Sequence, residues 1–332
     1  MISVIVVTWN RKELLRACLA SLKLQKDVSF ETIVVDNGST DGSAEAAEGE
    51  FGARVIRNRE NRGFCAANNQ GIEAARGEFI ALLNNDAEAE PGWLAELVRA
   101  CASRSDVGMA ASKVLVWEDP CRIDKAGHLI FPDGQNRGRG AGALDDGRFD
   151  REEEVLWPDG CAALYRKHML DEIGGFDEDF FAYGDDAELG LRARIAGWKC
   201  VYAPRAVVRH HRGSTLGKSS ERRLELIERN RVLLAAKLFP WSLLWLNPIY
   251  FAARLAAGAA MAGRGEGDTA HFPGAGGKLR MARALISGDW QALRLLPRML
   301  RKRAEVGRIR RLAPGEVRRL IMANRLSLRE VA

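Results

Sequence analysis

The chain has no Gly-x-Gly-x-x-Gly run, no Walker A loop, no Gly-x-Ser-x-Gly elbow and no His-Glu-x-x-His pair. These absences weigh against dehydrogenase, nucleoside triphosphatase, serine hydrolase and zincin chemistry. Its six cysteines (Cys18, Cys65, Cys101, Cys121, Cys161, Cys200) stand far apart, without Cys-x-x-Cys or a paired Cys/His spacing. Neither a zinc site nor a disulfide framework is expected from them, and reduced, mostly buried thiols of a cytosolic protein are. Histidine is scarce, five in 332 residues, so the doublet His210-His211 draws notice. No apolar run of about 20 residues is uninterrupted: the richest, 238–263, holds Pro240, Asn247, Pro248 and Arg254. The first apolar run begins at Ile2 with no basic segment before it, so a secretory leader is not expected and the catalytic part is placed in the cytoplasm.

What is present is enough for one large domain and a smaller one, since 47% of the 332 residues are apolar. The net charge of +6 hides an asymmetry. Residues 1–204 carry 24 basic and 35 acidic side chains, whereas 205–332 carry 26 and 9. A basic C-terminal third suits nucleic acid, an anionic membrane leaflet or a phosphorylated lipid.

Ile2–Thr8 is a β-branched run fit for a central strand buried on both faces. Leu14, Leu15, Cys18, Leu19 and Leu22 then recur at helical spacing, and Thr32–Val35 reads as the next strand. Val55-Ile56, the helix holding Asn68, Asn69 and Ile72, the strand Phe79–Leu83, the helix Trp93–Cys101 and the strand Val107–Ala111 continue the alternation. Such alternation predicts an α/β doubly wound, mostly parallel sheet with helices on both faces. Residues 118–154, rich in Gly, Asp and Arg, read as a mobile loop or irregular hairpin of the kind that covers ligands. A helix over 187–196 and short strands Cys200–Tyr202 and Ala206–Val208 follow, and the catalytic domain is expected to end near residue 217. The remainder, 218–332, reads as a basic amphipathic helical region. It comprises a long helix Glu221–Phe239 with a basic face, an interfacial hairpin over 238–263, and two more helices split at Ser287-Gly288-Asp289. Trp290, Leu293, Leu296 and Leu300 make an apolar stripe, and together these features suggest attachment to a membrane surface.

Two strands end in acidic tips. Asp36 follows Val34-Val35, and Asp86 follows Leu82-Leu83-Asn84-Asn85, about one βαβ unit later. A carboxylate at the C-terminal end of a parallel strand can hold a divalent cation or a nucleotide. It can equally be a turn former or helix cap. Asp36 suits the imide N–H of a uracil or thymine, or the following turn. Downstream, Asp185, Asp186 and Glu188 follow the aromatic run Phe180-Phe181-Ala182-Tyr183. Like charges so close raise a pKa and permit a general base, although a helix N-terminus also favours acids. His210 or His211 suits a metal ligand, a diphosphate donor or a plain polar residue.

Taken in order, Val-Val-Thr-Trp-Asn at 6–10, Val-Asp-Asn-Gly-Ser-Thr-Asp-Gly-Ser at 35–43, Asn-Arg-Gly-Phe-Cys-Ala-Ala-Asn-Asn at 61–69, Leu-Asn-Asn-Asp at 83–86, Asp185-Asp186 and the His210 segment resemble family 2 glycosyltransferases of the GT-A fold, most of all the rhamnosyltransferase-like branch. The resemblance spans about residues 1–217 and implies the following roles. Thr8, Asn10, Asp36 and Ser39 would hold the base and ribose of a UDP- or dTDP-sugar, with Arg62, Asn68 and Asn85 in the same pocket. Asp86 would coordinate Mg2+ or Mn2+, with Asn84 in place of the family's first acid, and His210 would complete the shell, His211 being nearly as good a choice. Asp186, beside Asp185, would be the base, and Trp157, Asp159 and Gly160 would line the acceptor pocket. The family's usual Glu-Asp followed by a second Asp is here Asp185-Asp186 with Glu188, which leaves the acceptor fit open.

The resulting expectation is an inverting, metal-dependent hexosyltransferase. It would act peripherally on the inner face of the cell membrane, on a glycan or polyprenyl-diphosphate-linked acceptor for envelope polysaccharide, with no nucleic-acid partner. A nucleotidyltransferase would want a Gly-rich basic loop after the first strand, where Thr8-Trp9-Asn10-Arg11 stands instead. The other alternative is a non-catalytic membrane- or nucleic-acid-binding protein on the same sheet.

Overall fold

The computed structural model describes residues 1–211, 220–262 and 274–331. The chain divides into two compact units, 1–128 with 138–212, and 129–137 with 213–332. The boundary expected at residue 217 lies outside the described residues.

The first unit is built on a mixed, mostly parallel sheet. Strand β1 (Ile2–Thr8) lies at its heart, buried along nearly its whole length, and pairs in parallel with β2 (Phe30–Asp36) and β4 (Phe79–Leu83). Helix α1 (Lys12–Lys23) joins β1 to β2, α2 (Ser43–Phe51) joins β2 to β3 (Arg54–Arg57), and α3 (Gly63–Ala74) joins β3 to β4. Next come β5 (Ala87–Ala89), α4 (Trp93–Ala102) and β6 (Val107–Val116). The short strands β7 (Ile123–Lys125), β8 (His128–Ile130), β9 (Asn136–Gly138) and β10 (Glu153–Val155) precede β11 (Ala162–Arg166), α5 (Lys167–Ile173), α6 (Asp185–Ile195) and β12 (Lys199–His210). Among the described residues the sheet order is β10-β12-β6-β11-β4-β1-β2-β3, with β5 and β7 attached to β12 and β6. Strand β11 runs antiparallel between β4 and β6, which makes the sheet mixed rather than all parallel.

The core explains why these segments fold as they do. Leu15, Cys18, Leu19 and Leu22 of α1 and Trp93, Leu94 and Leu97 of α4 pack into one apolar cluster with Val4, Val6, Ala81 and Leu83. Each fully buried Leu or Val contributes about 1.5–3 kcal/mol. The buried indole of Trp93 donates to Ser112 Oγ at 2.8 Å, so its one polar atom is satisfied.

Three expectations need correction here. Residues 118–154 are not a plain loop: β7 pairs with β6, β8 with β9 and β10 with β12, and Asp124 and His128 lie buried. The strands expected at 200–202 and 206–208 are one strand, β12, with a register shift between Ala203 and Val207 where Pro204 interrupts the ladder. Strand β6 also runs on to Val116, five residues past the expected end.

In the second unit, α7 (Glu221–Leu238) is capped by Ser220, whose side chain accepts from the Arg223 N–H. Helices α8 (Trp241–Leu244), α9 (Asn247–Ala262), α10 (Gly274–Ile309), α11 (Pro314–Ala323) and α12 (Leu328–Val331) follow. Helix α10 runs straight through Ser287-Gly288-Asp289, where a break was expected. Gly288 is a contact point rather than a breaker: a Cβ there would stand 2.6 Å from the Glu225 carbonyl of α7. Asp289 pairs with Arg231 at 3.3 Å. The expected basic face of α7 is also largely inside, since Arg229, Arg231 and Lys237 are buried. Among the described residues no helix is long and apolar enough to cross a membrane.

Candidate active site

The sheet brings the first group of residues together by register. Thr8 and Asp36 are paired across β1 and β2, and Asn85 at the end of β4 donates to Thr8 Oγ1 at 3.0 Å. Asn10 and Arg11 turn the chain in the left-handed region, at φ 57° and 67°. That turn lets the Asn10 N–H reach Ser39 Oγ at 2.7 Å and its side-chain oxygen accept from the Thr40 N–H. Both oxygens of Asp36 accept from the Ser39 N–H, at 3.2 and 3.3 Å. Asn37, which the sequence pattern did not single out, ties this loop to the start of α3: its N–H donates to the Thr8 carbonyl and its amide to the Gly63 carbonyl. Arg62 is exposed beside that turn, while Asn68 is buried and donates back to the Phe64 carbonyl of its own helix.

The second group forms where β5 joins β12. The pairing of Ala87 with His210 places Asp86 beside the imidazole, with His210 Nε2 3.4 Å from Asp86 Oδ1. The other ring nitrogen, Nδ1, lies 2.8 Å from Asp124 Oδ2, so a buried carboxylate fixes the ring. Burial opposes the charged imidazolium. Cys161, Asp124 and Asp86 outweigh it and hold His210 well above the ordinary histidine range. His211 points elsewhere: its ring stacks on Trp117 at 4.1 Å and its Nε2 is 4.0 Å from Glu88.

The third group surrounds the start of α6. Phe181 and Tyr183, both with positive φ (64° and 68°), shape the loop before it. The Phe181 carbonyl accepts from the Phe64 and Cys65 N–H groups at the start of α3. Its ring lies so close to Gly63 (φ +84°) that a Cβ there would stand 2.4 Å from it. Non-glycine residues held in this region store strain, and such strain gathers at functional sites. Asp185 and Asp186 are both buried. Burial and then the neighbouring Asp186 push Asp185 well above the usual carboxyl range. Burial raises Asp186 too, but His128 opposes the rise and the Gly160 N–H donates to its Oδ2 at 3.3 Å. Both carboxyl groups are thus held above the usual range, and two acids this close titrate as a pair. Glu188 does not join them. It forms a buried pair with Arg192 at 2.8 Å, and Arg192 in turn holds the carbonyls of Gly174 and Gly175.

Of the expected acceptor residues, Trp157 is fully buried with its ring beside His128, and Gly160 serves Asp186 through its backbone. Asp159 is held by Lys125 at 2.6 Å, by His128 at 2.8 Å and by the Cys161 N–H at 2.9 Å. Asp124, Lys125 and His128 are the residues that sequence reasoning missed. The only sign of them was three ionisable groups spaced among Ile123, Ala126 and Gly127.

Among the described residues around this site, two groups offer metal-ligating atoms. Asp86 and His210 supply a carboxylate oxygen and an imidazole nitrogen, with Asp124 orienting the imidazole as a second carboxylate does in many metal sites. This donor set fits Mn2+ or Mg2+ completed by phosphate oxygens. His128, Asp159 and Asp186 also bring ligand atoms within 4.8 Å of one another, but the Lys125 ammonium already sits on Asp159 there.

The profile of glycosyl transferase family 2 matches residues 3–174, more than half of the chain, and that of glycosyl transferase family group 2 matches 148–261. The chain belongs to glycosyl transferase family 2. This glycosyltransferase is 28% identical over 279 residues to an N-acetylglucosaminyl-diphospho-decaprenol L-rhamnosyltransferase of Mycobacterium tuberculosis, covering 76% of this chain and 89% of that one. It is 31% identical over 252 residues to the O-antigen biosynthesis protein RfbC of Myxococcus xanthus, covering 72% of this chain and 19% of that longer one. Its fold is GT-A-like. A GalNAc transferase solved with UDP, GalNAc and Mn2+ superposes with TM-score 0.60 at 16% identity, covering 78% of this chain and 51% of that one. The mannosyltransferase PcManGT of Pyrobaculum calidifontis, in complex with GDP-Man and Mn2+, gives 0.50 at 20% identity, covering 93% and 85%.

Proposed function

We propose that this glycosyltransferase moves a sugar from a nucleotide-diphospho-sugar, dTDP-rhamnose foremost, to a glycan or polyprenyl-diphosphate-linked acceptor in cell-envelope polysaccharide synthesis, with inversion at the anomeric carbon. The observation that carries the reading is the convergence of the β1, β2 and β4 tips, where Thr8, Asn10, Asp36, Ser39 and Asn85 form one hydrogen-bonded group ending at Asp86 and His210. Thr8, Asn10, Asp36 and Ser39 would bind the base and ribose, with Arg62 and Asn68 nearby. Asp86 and His210 would hold Mg2+ or Mn2+, which when bound neutralises the departing diphosphate. Asp186 would take the acceptor proton, and Trp157, Asp159 and Gly160 would build the wall of the acceptor site. The M. tuberculosis relative, whose name gives both a rhamnosyl donor and a lipid-diphosphate acceptor, supports these choices.

Catalysis is assigned to residues 1–217 and peripheral attachment to the cytoplasmic face of the membrane to 218–332. On the second unit Trp241, Trp245, Ile249, Ile286, Trp290, Leu293 and Leu300 are exposed, Trp245 at 79%. Arginines stand among them, with Arg303 over Trp241 and Arg294 over Trp290. Exposed tryptophans beside arginines suit an anionic lipid interface. The direct test of the reaction is incubation with dTDP-rhamnose or UDP-sugars and a polyprenyl-diphosphate-GlcNAc acceptor, with product anomers read by NMR. Transfer with inversion is expected, and retention of configuration or no transfer from any of these donors would defeat the reading.

A further inference from the structure

We infer that His128 is a positioning residue for the base, its imidazole anchored on Asp159 and aiming the Asp186 carboxylate at the acceptor hydroxyl. The inference rests on the reading of Asp186 as base. His128 Nε2 lies 2.8 Å from Asp159 Oδ2 and 3.5 Å from Asp186 Oδ2. A ring nitrogen that faces two carboxylates must be the one that carries hydrogen, so Nε2–H donates to the nearer, Asp159 Oδ2, and its polar edge faces Asp186 Oδ2. Asp159 is a fixed anchor, because Lys125 and His128 share its Oδ2 while its Oδ1 accepts from the Cys161 N–H. That carboxylate is already spoken for and is poorly suited to bind a sugar hydroxyl itself. Trp157 sets the ring's tilt, lying 23° from parallel at a centroid distance of 6.0 Å.

Asp186 is held at both ends. Its Oδ1 accepts from the Ala187 N–H at 2.8 Å, and its Oδ2 faces the Gly160 N–H and His128. In the transfer step the acceptor O–H bond breaks and its proton goes to this carboxylate. The oxygen's electron pair forms the bond to the anomeric carbon, and the bond to the diphosphate breaks with its pair leaving on the nucleotide. The Gly160 N–H and the polar edge of His128 beside Oδ2 keep the carboxylate pointed until that moment. The other charged or titratable groups facing Asp186 are Asp185 beside it, Asp159 and Lys125, and Tyr165 of β11.

The test compares His128→Phe, which keeps a ring on Trp157 but has no N–H, with His128→Gln, whose amide can donate from nearly the same place. The phenylalanine variant is expected to lose about three- to tenfold in kcat, the scale of one ordinary polar contact. Its acceptor KM and its affinity for nucleotide should change less than about threefold. Losing the favourable imidazole contact raises the Asp186 pKa, so the acid limb of the kcat profile should move to higher pH, and glutamine should restore much of both. A phenylalanine variant with unchanged kcat and acid limb would overturn the inference. So would equal losses in both variants accompanied by a lowered melting temperature, which would assign His128 to packing. Asp186→Asn is run alongside. If it retains transfer, the base reading itself is wrong and this inference goes with it; if it is inactive while His128→Phe is normal, only the inference fails.

Discussion

The two units bury the same kinds of side chain to opposite ends. In the helical unit, Glu228 lies between Arg231 at 2.7 Å and Arg254 at 3.0 Å, Asp133 receives Arg254 at 2.6 Å, and Phe251 is flanked by both guanidinium groups. Each charge there has an opposite partner. At the start of α6 in the sheet unit, Asp185 and Asp186 are instead buried side by side, with His128 as the nearest counterweight to Asp186. Matched burial makes a charge structural, whereas like-charge burial lifts a carboxyl group's pKa and makes it useful as a base. The glycosyltransferase thus keeps chemistry and scaffolding apart by how its carboxylates are paired, not by how deeply they are buried.

The comparison is broken most severely at Asp186. Replacing it with Asn should lower transfer by about 10²–10⁴-fold while nucleotide affinity, read by calorimetry, stays within about threefold; loss of both would make the residue structural. Second comes Glu228→Ala, which removes the carboxylate shared by Arg231 and Arg254 and leaves them only Asp289 and Asp133. A loss of about 2–3 kcal/mol in urea unfolding is expected, since each arginine keeps one carboxylate, and a value under about 1 kcal/mol would show the network to be incidental. Asp86→Ala should weaken Mn2+-dependent nucleotide binding by about ten- to a hundredfold without altering the melting temperature, and unchanged affinity with Mn2+ would remove Asp86 from the metal site. The smallest effect sharpens the contrast from the surface. Trp245→Ser with Trp290→Ser should reduce co-sedimentation with anionic vesicles and leave transfer to a water-soluble acceptor intact, and undiminished sedimentation would release these tryptophans from the lipid reading.

How much of this could be read from the chain alone follows the same division. Where burial is apolar and periodic, as in Ile2–Thr8 and Phe79–Leu83, the pattern matches the observed strands to the residue. It placed Asp36 and Asp86 on strand tips for the same reason. Where burial depends on pairing, the pattern is silent. The strands at 123–125 and 128–130 are three residues long, and Asp124 and His128 go inside, with Lys125 half-buried beside them, because His210 and Asp159 receive them, which no count of apolar spacing reveals. Glu188 looked like a third acid of the site until Arg192, one helical turn later, was seen to claim it. Ser287-Gly288-Asp289 had the composition of a break, but the glycine is there for close contact with α7. Arg229 and Arg231 of α7 belong to a basic face on paper and are buried in the fold, Arg231 within an ion network.

The account's central claim is that the tips of β1, β2 and β4 form a metal-assisted site for a nucleotide diphosphate. The most direct measurement is calorimetric titration of the full chain with dTDP and with UDP, first in Mn2+ and then in EDTA. Saturable binding of one nucleotide in Mn2+ that disappears in EDTA is the predicted result, whereas equal binding in both buffers, or none in either, would contradict it.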